Sequence, residues 1–446
     1  ATSAGASGKS GFAIPTNISA SLETKIDTLV YRDGVIRQVF LNADVTQGAV
    51  NISRVSAQLP GGSSASLVGL VSPTEAGPKF DGQAEVSSDN LRALLKWAGT
   101  DVSAVPAERL RKMAGSVTVG ATQENITLTD IDVSVDVSRL RGGVAIALRE
   151  RPGFGVGLSL DKLNLDAYLP DAAPADTAPT GTQPGGTAVP TQKPAGTSAD
   201  KPGGLAALNG FDAILQVKVG ELAYRAQKLR GINLDSTLQG GKLEIRDASV
   251  ANLEGAKVSA RGRIDDLAGA PKADLAIDID ASDADKLLAL ANISAPASIG
   301  PGKLSGTFRG DMQNLAVDTS LQALGARLKV SGRVAALALP PRYELKLDLK
   351  HADASSFFAR LGGDKGAAGV KIGLLSALVN ARGDLNTSTL DANIGIGLGT
   401  IVLDGKISNL AAGAPTGALT VAANHPDMVA FVQTFANDYK PALADA

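Results

Sequence analysis

Cysteine is absent from the 446 residues of this chain, and histidine occurs only twice. Without cysteine the chain can form neither disulfides nor thiolate metal sites. Aromatic residues make up 4% of the sequence, too few to indicate an aromatic-lined sugar or cofactor site. The formal net charge is −2 and the basic residues are scattered, so we expect no binding to nucleic acids.

Long apolar runs and targeting signals are also missing from the sequence. No stretch approaches the roughly 18 consecutive apolar residues of a transmembrane helix. The start, ATSAGASGKS, lacks the charged and apolar regions of a signal peptide. We expect residues 1–11 to form a flexible lead-in.

What the sequence does contain is a repeated strand–helix unit, clearest from Pro341 to Leu361. Leu345, Leu347 and Leu349 alternate with charged residues, as in a half-buried strand. Asp353 then stands where a helix N-cap is expected, and bulky apolar residues follow at helical spacing. Counted from the proline, the strand positions are +4, +6 and +8, and the cap is +12.

Four further copies keep these offsets. They begin at Pro78, Pro152, Pro271 and Pro415, with predicted caps at Asn90, Asn164, Asp283 and Asp427. A second match, Leu29–Arg32 with Leu222–Arg225, has the same 193-residue offset as Pro78 and Pro271. The homology therefore extends to the strands before each unit, and the chain is a repeat protein.

These patterns predict a mainly β fold with a few short α-helices, in which an elongated, curved antiparallel sheet of repeats forms an apolar groove. We predict a first β-groove block at 12–170, a disordered linker rich in Ala, Pro, Thr and Gly at 171–204, and a second block at 205–446. Another helix is predicted from Pro106 to Met113. The chain stops after a helix where most earlier copies continue into strands, so we expect a fragment truncated within a repeat.

Residues suited to catalysis form no recognisable motif. His351 and His425 each stand two residues before a cap Asp, a spacing that suggests a metal or acid–base pair. Other copies have Ser88, Lys162 and Ala281 there, so we interpret both histidines as structural. The alternating glycines of PGFGVGLSL lie within a predicted strand and form no phosphate loop. We expect that the protein is not an enzyme and that it binds neither a cofactor nor a metal ion.

The apolar face of the strands is the remaining candidate site, and two arrangements are open. Two sheets could pack as a closed sandwich, or one curved sheet could leave its apolar face exposed as a trough that shelters acyl chains. Each CH₂ group buried in such a trough is worth about 0.8 kcal/mol. The candidate groove residues are Val156, Leu158, Leu160, Leu275, Ile277, Ile279, Leu345, Leu347, Leu349, Ile394, Ile396 and Leu398.

Three stretches resemble the AsmA family of Gram-negative bacteria. They are LVYRDGVIRQVFLNADVTQGAVNISRVSAQLPGG at 29–62, GGKLEIRDASVANLEGAKVSARG at 240–262, and LSLDKLNLDAYLP at 158–170. The resemblance implies a periplasmic protein anchored to the inner membrane, with a groove that lets phospholipids cross toward the outer membrane. Relatives include the inner-membrane subunit of the translocation and assembly module and bridge-like lipid transfer proteins. The family's N-terminal anchor has no match here, and the family has no catalytic residues to carry over.

The favoured function is therefore a non-enzymatic, lipid-binding groove that supports phospholipid transport and outer-membrane homeostasis. Its expected partners are phospholipid acyl chains, the inner membrane through an anchor absent from this sequence, and the outer membrane or its assembly machinery. The alternative is a structural factor for outer-membrane protein biogenesis with a closed core. A carbohydrate-active enzyme on a β-solenoid is disfavoured, because such solenoids repeat at roughly 20–30 residues without an interposed helix.

Overall fold

The computed structural model describes residues 16–169, 206–293, 295, 297–335, 341–361, 372–409 and 416–435. The predicted lead-in at 1–11 and the predicted linker at 171–204 lie outside the described residues. The chain divides into two units, Ala1–Asp212 with Leu222–Ala226, and Ala213–Glu221 with Gln227–Ala446. The structure confirms the predicted fold class, since the chain is mainly β with a few short helices and its strands form open, curved antiparallel sheet.

The first unit contains nine strands and one α-helix within its described residues, joined mostly by tight turns. They are β1 (Ala20–Tyr31), β2 (Gly34–Thr46), β3 (Ala49–Leu59), β4 (Ser63–Thr74), β5 (Gly77–Ser88), α1 (Leu91–Trp97), β6 (Met113–Ala121), β7 (Asn125–Val135), β8 (Ser138–Ala147) and β9 (Gly153–Asn164). Short 3₁₀ helices cover Asp166–Tyr168 and Ala206–Gly210. Each strand from β1 to β9 pairs antiparallel with the next, which makes a meander.

The second unit continues the same pattern. Strand β10 (Asp212–Tyr224) has residues in both units. The other elements are β11 (Gln227–Gln239), β12 (Lys242–Leu253), β13 (Ala256–Asp265), β14 (Lys272–Ala281), α2 (Ala284–Leu290), β15 (Gly302–Gly310), β16 (Leu315–Ala323), β17 (Ala326–Ala335), β18 (Arg342–His351), α3 (Ala354–Arg360), β19 (Leu375–Asp384), β20 (Thr387–Ile396), β21 (Gly399–Ser408), β22 (Thr416–Asn424) and α4 (Met428–Phe435). Strands β11 to β22 also pair antiparallel in sequence order.

A strand followed by an α-helix is found in four of the five predicted copies, and the copy at Pro152 runs into a short 3₁₀ turn instead. The five strands are β5, β9, β14, β18 and β22, and each runs into α1, the Asp166–Tyr168 turn, α2, α3 or α4. Four predicted caps accept a hydrogen bond from a backbone N–H of the first helical turn. The pairs are Asn90 with Ala93 (3.2 Å), Asn164 with Ala167 (3.3 Å), Asp283 with Asp285 (3.2 Å) and Asp353 with Ser355 (3.3 Å). Each cap satisfies a donor that the helix itself leaves unpaired.

The helix predicted from Pro106 to Met113 is wrong. The segment forms turns, and β6 begins at Met113. Its backbone groups find partners elsewhere: the Arg92 guanidinium donates to the carbonyls of Val105 and Pro106, and the Asp136 carboxylate accepts from the N–H groups of residues 110–112. These tertiary hydrogen bonds replace the ones that a helix would make within itself.

The predicted strand position of Leu398 is also wrong. Strand β20 ends at Ile396, and Gly397 has a φ of 59°. Leu398 therefore lies in the turn to β21 and is 79% exposed. The alternation of glycine and aliphatic residues continues through this turn, which is why periodicity alone extended the strand too far.

Candidate functional site

The strand register assembles seven of the nine predicted groove residues of the second unit into three parallel rows, while Ile396 lies in a buried cluster beside the helices and Leu398 lies in a turn. Each row follows directly opposed residues from β14 to β22 and crosses the strands. We call them the glycine row (+4), the middle row (+6) and the helix row (+8). The nine strands give each row a width of roughly 38 Å, because neighbouring strands lie about 4.8 Å apart.

The rows contain aliphatic residues almost throughout. The glycine row is Leu275, Phe308, Val317, Gly332, Leu345, Ala381, Leu390, Gly405 and Leu419. The middle row is Ile277, Gly306, Thr319, Val330, Leu347, Val379, Ala392, Leu403 and Val421. The helix row is Ile279, Leu304, Leu321, Leu328, Leu349, Ala377, Ile394, Ile401 and Ala423. None of these 27 positions carries a charge, and Thr319 alone has a polar side chain.

The three candidates of the first unit lie in a similar arrangement on β9. Val156, Leu158 and Leu160 oppose residues 144, 142 and 140 of β8, in that order. All three side chains are half-buried. The first unit therefore presents aliphatic residues at the same repeat offsets as the second.

The opposite face of the strands is polar and carries ion pairs between neighbouring strands. Asp274 on β14 binds Arg309 on β15 (3.0 Å), and Asp280 binds Lys303 between the same strands (2.7 Å). In the first unit Arg139 binds Asp132 in the same manner (2.6 Å). These exposed pairs add little stability, but they identify the face that water solvates. The rows occupy the other face.

The apolar rows are not sealed inside a closed core. Leu345, Leu347 and Leu349 are each half-buried, whereas a sandwich core would exclude water from them. Only 13 apolar residues are buried among all those described, and no large side chain there falls below 2% exposure.

Short helices cover one border of this face. A buried cluster joins Ala354 of α3 and Phe431 of α4 to Leu375 and Ile396 of the sheet. The partly buried residues packed against it are Leu349, Phe357, Phe358, Ile372, Ile394 and Ile401. Three of these residues, Leu349, Ile394 and Ile401, belong to a row, and all three are in the helix row. Among the described residues, the cluster includes no member of the middle or glycine rows.

Both histidines make structural contacts at the helix border. The backbone N–H of Asp353 donates to Nδ1 of His351 (3.0 Å), and Nε2 of His351 lies 3.2 Å from the carbonyl oxygen of Leu324. Asp427 donates in the same way to His425 (2.9 Å). At His351, Nδ1 accepts from Asp353, which leaves Nε2–H to donate to the carbonyl of Leu324. Within the described part of the chain, no three His, Asp or Glu side chains form a group that could hold a metal ion.

A concavity of about 710 Å³ crosses β17–β21 and is lined by charged residues of the polar face together with glycine-row residues such as Leu345 and Leu390. Four basic and three acidic residues line it, and Arg382 pairs with Glu344. The mixture leaves no strong field of one sign for an anionic ligand. The three uncharged rows remain the most coherent binding surface.

Sequence periodicity found the rows only where the repeat unit supplied them. The intervening strands contribute residues such as Phe308, Val330 and Leu403, whose alternation was visible but whose alignment with the +4, +6 and +8 positions was not. That alignment depends on register, which the turns between strands set.

A comparison with models of known protein families finds no match for this chain, and a comparison with curated protein sequences finds none either. The resemblance to the AsmA family therefore stays a prediction. No helix in the described ranges is long and apolar enough to cross a membrane.

Proposed function

We propose that the apolar face binds lipid acyl chains and carries them along its three rows. The supporting observation is the uncharged surface of 27 aligned positions in the second unit, most of them half-buried. A monomeric soluble protein rarely leaves an apolar surface of this extent open without a ligand or partner. Acyl chains suit it because they need continuous aliphatic contact and no directional hydrogen bonds.

A bound acyl chain would move along the rows because successive positions offer it similar contacts. Each aliphatic position offers a similar gain of about 0.8 kcal/mol per CH₂ group sheltered. A chain that shifts by one strand therefore exchanges one set of contacts for an equivalent set. The middle and glycine rows are suited to this exchange, because the aromatic residues of α3 and α4 pack against the helix row instead.

The biological setting is part of the same proposal and rests on the resemblance to the AsmA family. In this setting the protein is periplasmic, is attached to the inner membrane in a Gram-negative bacterium, and passes phospholipid toward the outer membrane. It performs no covalent chemistry. Its contribution to outer-membrane biogenesis is the sheltered path itself.

The test is native mass spectrometry of the chain purified from bacterial cells, followed by organic extraction. Wild-type protein should carry phospholipid, and Leu347→Asp should lose it while staying folded, because a carboxylate in the middle row would have to be desolvated by the bound chain. Ser376→Asp is the matched control, since Ser376 is exposed on the polar face of the adjacent β19. A folded wild-type chain that is free of lipid in every preparation would favour the assembly-factor alternative.

A further inference from the structure

Charged residues on the polar face of the second unit are matched in sign between neighbouring strands. From β13 to β19, ten pairs of charged residues stand directly opposite each other in the described registers, and nine of these pairs join an acid to a base. The nine are Lys257–Asp280, Arg263–Asp274, Asp265–Lys272, Asp274–Arg309, Asp280–Lys303, Lys329–Asp348, Arg333–Glu344, Arg342–Asp384 and Glu344–Arg382. Opposite charges in this arrangement stabilise a sheet, whereas like charges destabilise it.

The tenth pair consists of two bases, since Arg327 on β17 stands directly opposite Lys350 on β18. The Cβ atoms of two opposed residues are about 5 Å apart. Gln322 faces Arg327 from β16, and Ser376 faces Lys350 from β19, so neither neighbouring strand supplies an acid. The Lys350 amine lies 3.5 Å from Asp348 of its own strand, whereas Arg327 has no ion pair with any residue that the structure describes.

This like-charged pair lines a cleft of about 720 Å³ at the ends of the strands nearest the helices. The cleft crosses β14–β19, and Lys303 is its third basic residue. Asp280 is the one acid among the described residues that line it, and the Lys303 amine binds Asp280 at 2.7 Å. The lining therefore has a surplus of positive charge, which comes from Arg327 and Lys350.

Aliphatic side chains lie beside these charges. Leu374, which precedes β19, is 69% exposed, and Leu324 belongs to the turn between β16 and β17. Both leucines line the cleft. Ligand sites commonly combine an apolar lining with a few polar groups that fix the orientation of the ligand. A surplus of positive charge beside exposed aliphatic carbon suits an anion that carries an apolar group.

We propose that this cleft binds a phosphate group through Arg327, with Lys350 beside it. A guanidinium can donate two parallel, charge-assisted hydrogen bonds to phosphate oxygens, and the bound anion offsets the repulsion between the two bases. The phosphate belongs either to a lipid headgroup or to a small soluble phosphate, and the two leucines favour the headgroup. The cleft lies on the polar face, so the inference is independent of acyl-chain binding by the rows.

The test is calorimetric titration of the full chain with dihexanoyl phosphatidic acid below its micelle concentration, with glycerol phosphate and with inorganic phosphate. We expect saturable binding that weakens as salt is added, because salt screens exposed charges. Tighter binding of the lipid than of the two soluble compounds would identify a headgroup as the ligand, and equal binding would identify a free phosphate. Absence of saturable binding by every probe would overturn the proposal.

Charge-removing variants locate the site. Arg327→Gln should weaken binding about tenfold or more, because charge-assisted hydrogen bonds are lost. Lys346→Gln is the matched control: it removes one positive charge from the same face of β18, outside the cleft, and Lys346 faces Ser331 and Asn380 rather than an acid. This control should leave binding unchanged. Equal losses in the two variants would mean that net charge alone matters, and would refute the assigned site.

A variant in the middle row separates this proposal from the lipid-groove proposal. Leu347→Asp changes the apolar face, so it should keep phosphate binding even where it loses co-purifying lipid. Binding of dihexanoyl phosphatidic acid that Leu347→Asp abolishes and Arg327→Gln leaves intact would place the probe in the rows and overturn the phosphate cleft. Phosphate binding by a chain that never carries acyl lipid would overturn the groove alone.

Discussion

Gly332 on β17 lies directly opposite Leu345 on β18, and the two strands are in contact too close for any side chain at Gly332. A Cβ there would sit 2.0 Å from the carbonyl oxygen of Glu344. The same geometry recurs at two further pairs, Gly262–Leu275 and Gly405–Leu419. The three glycines have φ of 139°, 149° and 154°, a region that side-chain-bearing residues rarely adopt. A bare backbone opposite the +4 residue is thus a repeated feature of this sheet.

We expect Gly332→Ala to destabilise the second unit by about 2 kcal/mol or more, from backbone strain and the clash with β18. Gly155→Ala is the control, since a Cβ there meets its nearest atom at 3.6 Å. Chemical denaturation and amide exchange in β17 and β18 measure the difference. Equal stability of the two variants would contradict the prediction.

Neighbouring residues on one strand should differ sharply in their effect on lipid binding. Leu403 belongs to the middle row, whereas Val402 lies on the polar face and is 44% exposed. We expect Leu403→Asp to reduce co-purifying lipid as strongly as Leu347→Asp, because both interrupt one row. Val402→Asp should retain wild-type amounts. Quantified lipid extraction checks this, and similar losses from both Leu403→Asp and Val402→Asp would argue against binding along the rows.

The two histidines should contribute unequally to stability. His351 is buried, and its ring makes hydrogen bonds with the N–H of Asp353 and the carbonyl of Leu324. His425 is only half-buried. His351→Ala leaves the part-buried N–H of Asp353 and carbonyl of Leu324 without this partner, at a cost of about 1–3 kcal/mol. His425→Ala should cost less. Amide exchange in α3 and α4 compares them, and a larger effect at His425 would refute the ranking.

The hydrogen bonds between Asp285 and the segment before β15 should depend on pH. Backbone N–H groups of Ile299 and Gly300, and then the Ser298 hydroxyl, hold the pKa of Asp285 below its ordinary value of 3.8. A lowered pKa means that the stabilisation is complete above the unfolded-state pKa and is lost as pH falls through the folded-state pKa. We therefore expect these contacts to persist at pH 5 and to loosen below pH 3.8.

NMR titration of the Ile299 and Gly300 amides measures this transition. Their shifts should move together with a midpoint below 3.8. In Asp285→Asn the side chain has no acid to titrate, so the transition should vanish. A midpoint above the ordinary value in the wild-type chain would contradict the assignment.

Local sequence determined the elements that short-range physics controls. Alternation at Leu345, Leu347 and Leu349 predicted a half-buried strand, and the Asp353 side chain predicted the helix start, because side-chain period and capping depend on neighbours a few residues away. The repeat offsets then carried both predictions to the other copies. These features alone predicted the mainly β fold class and the short helices.

Contacts distant in sequence decided the rest. The segment from Pro106 is not helical because Asp136 and Arg92 bind its backbone, and neither partner can be read from the segment itself. Register placed Phe308 and Val330 in line with the repeat positions, which periodicity cannot do. The turns Arg32–Asp33 and Arg225–Ala226 share a conformation, but their neighbours differ. Trp97 donates to the carbonyl of Tyr31 beside the first turn, and Asp166 accepts from both N–H groups of the second. Burial is a property of neighbours in space, so tertiary structure alone shows what each turn contacts.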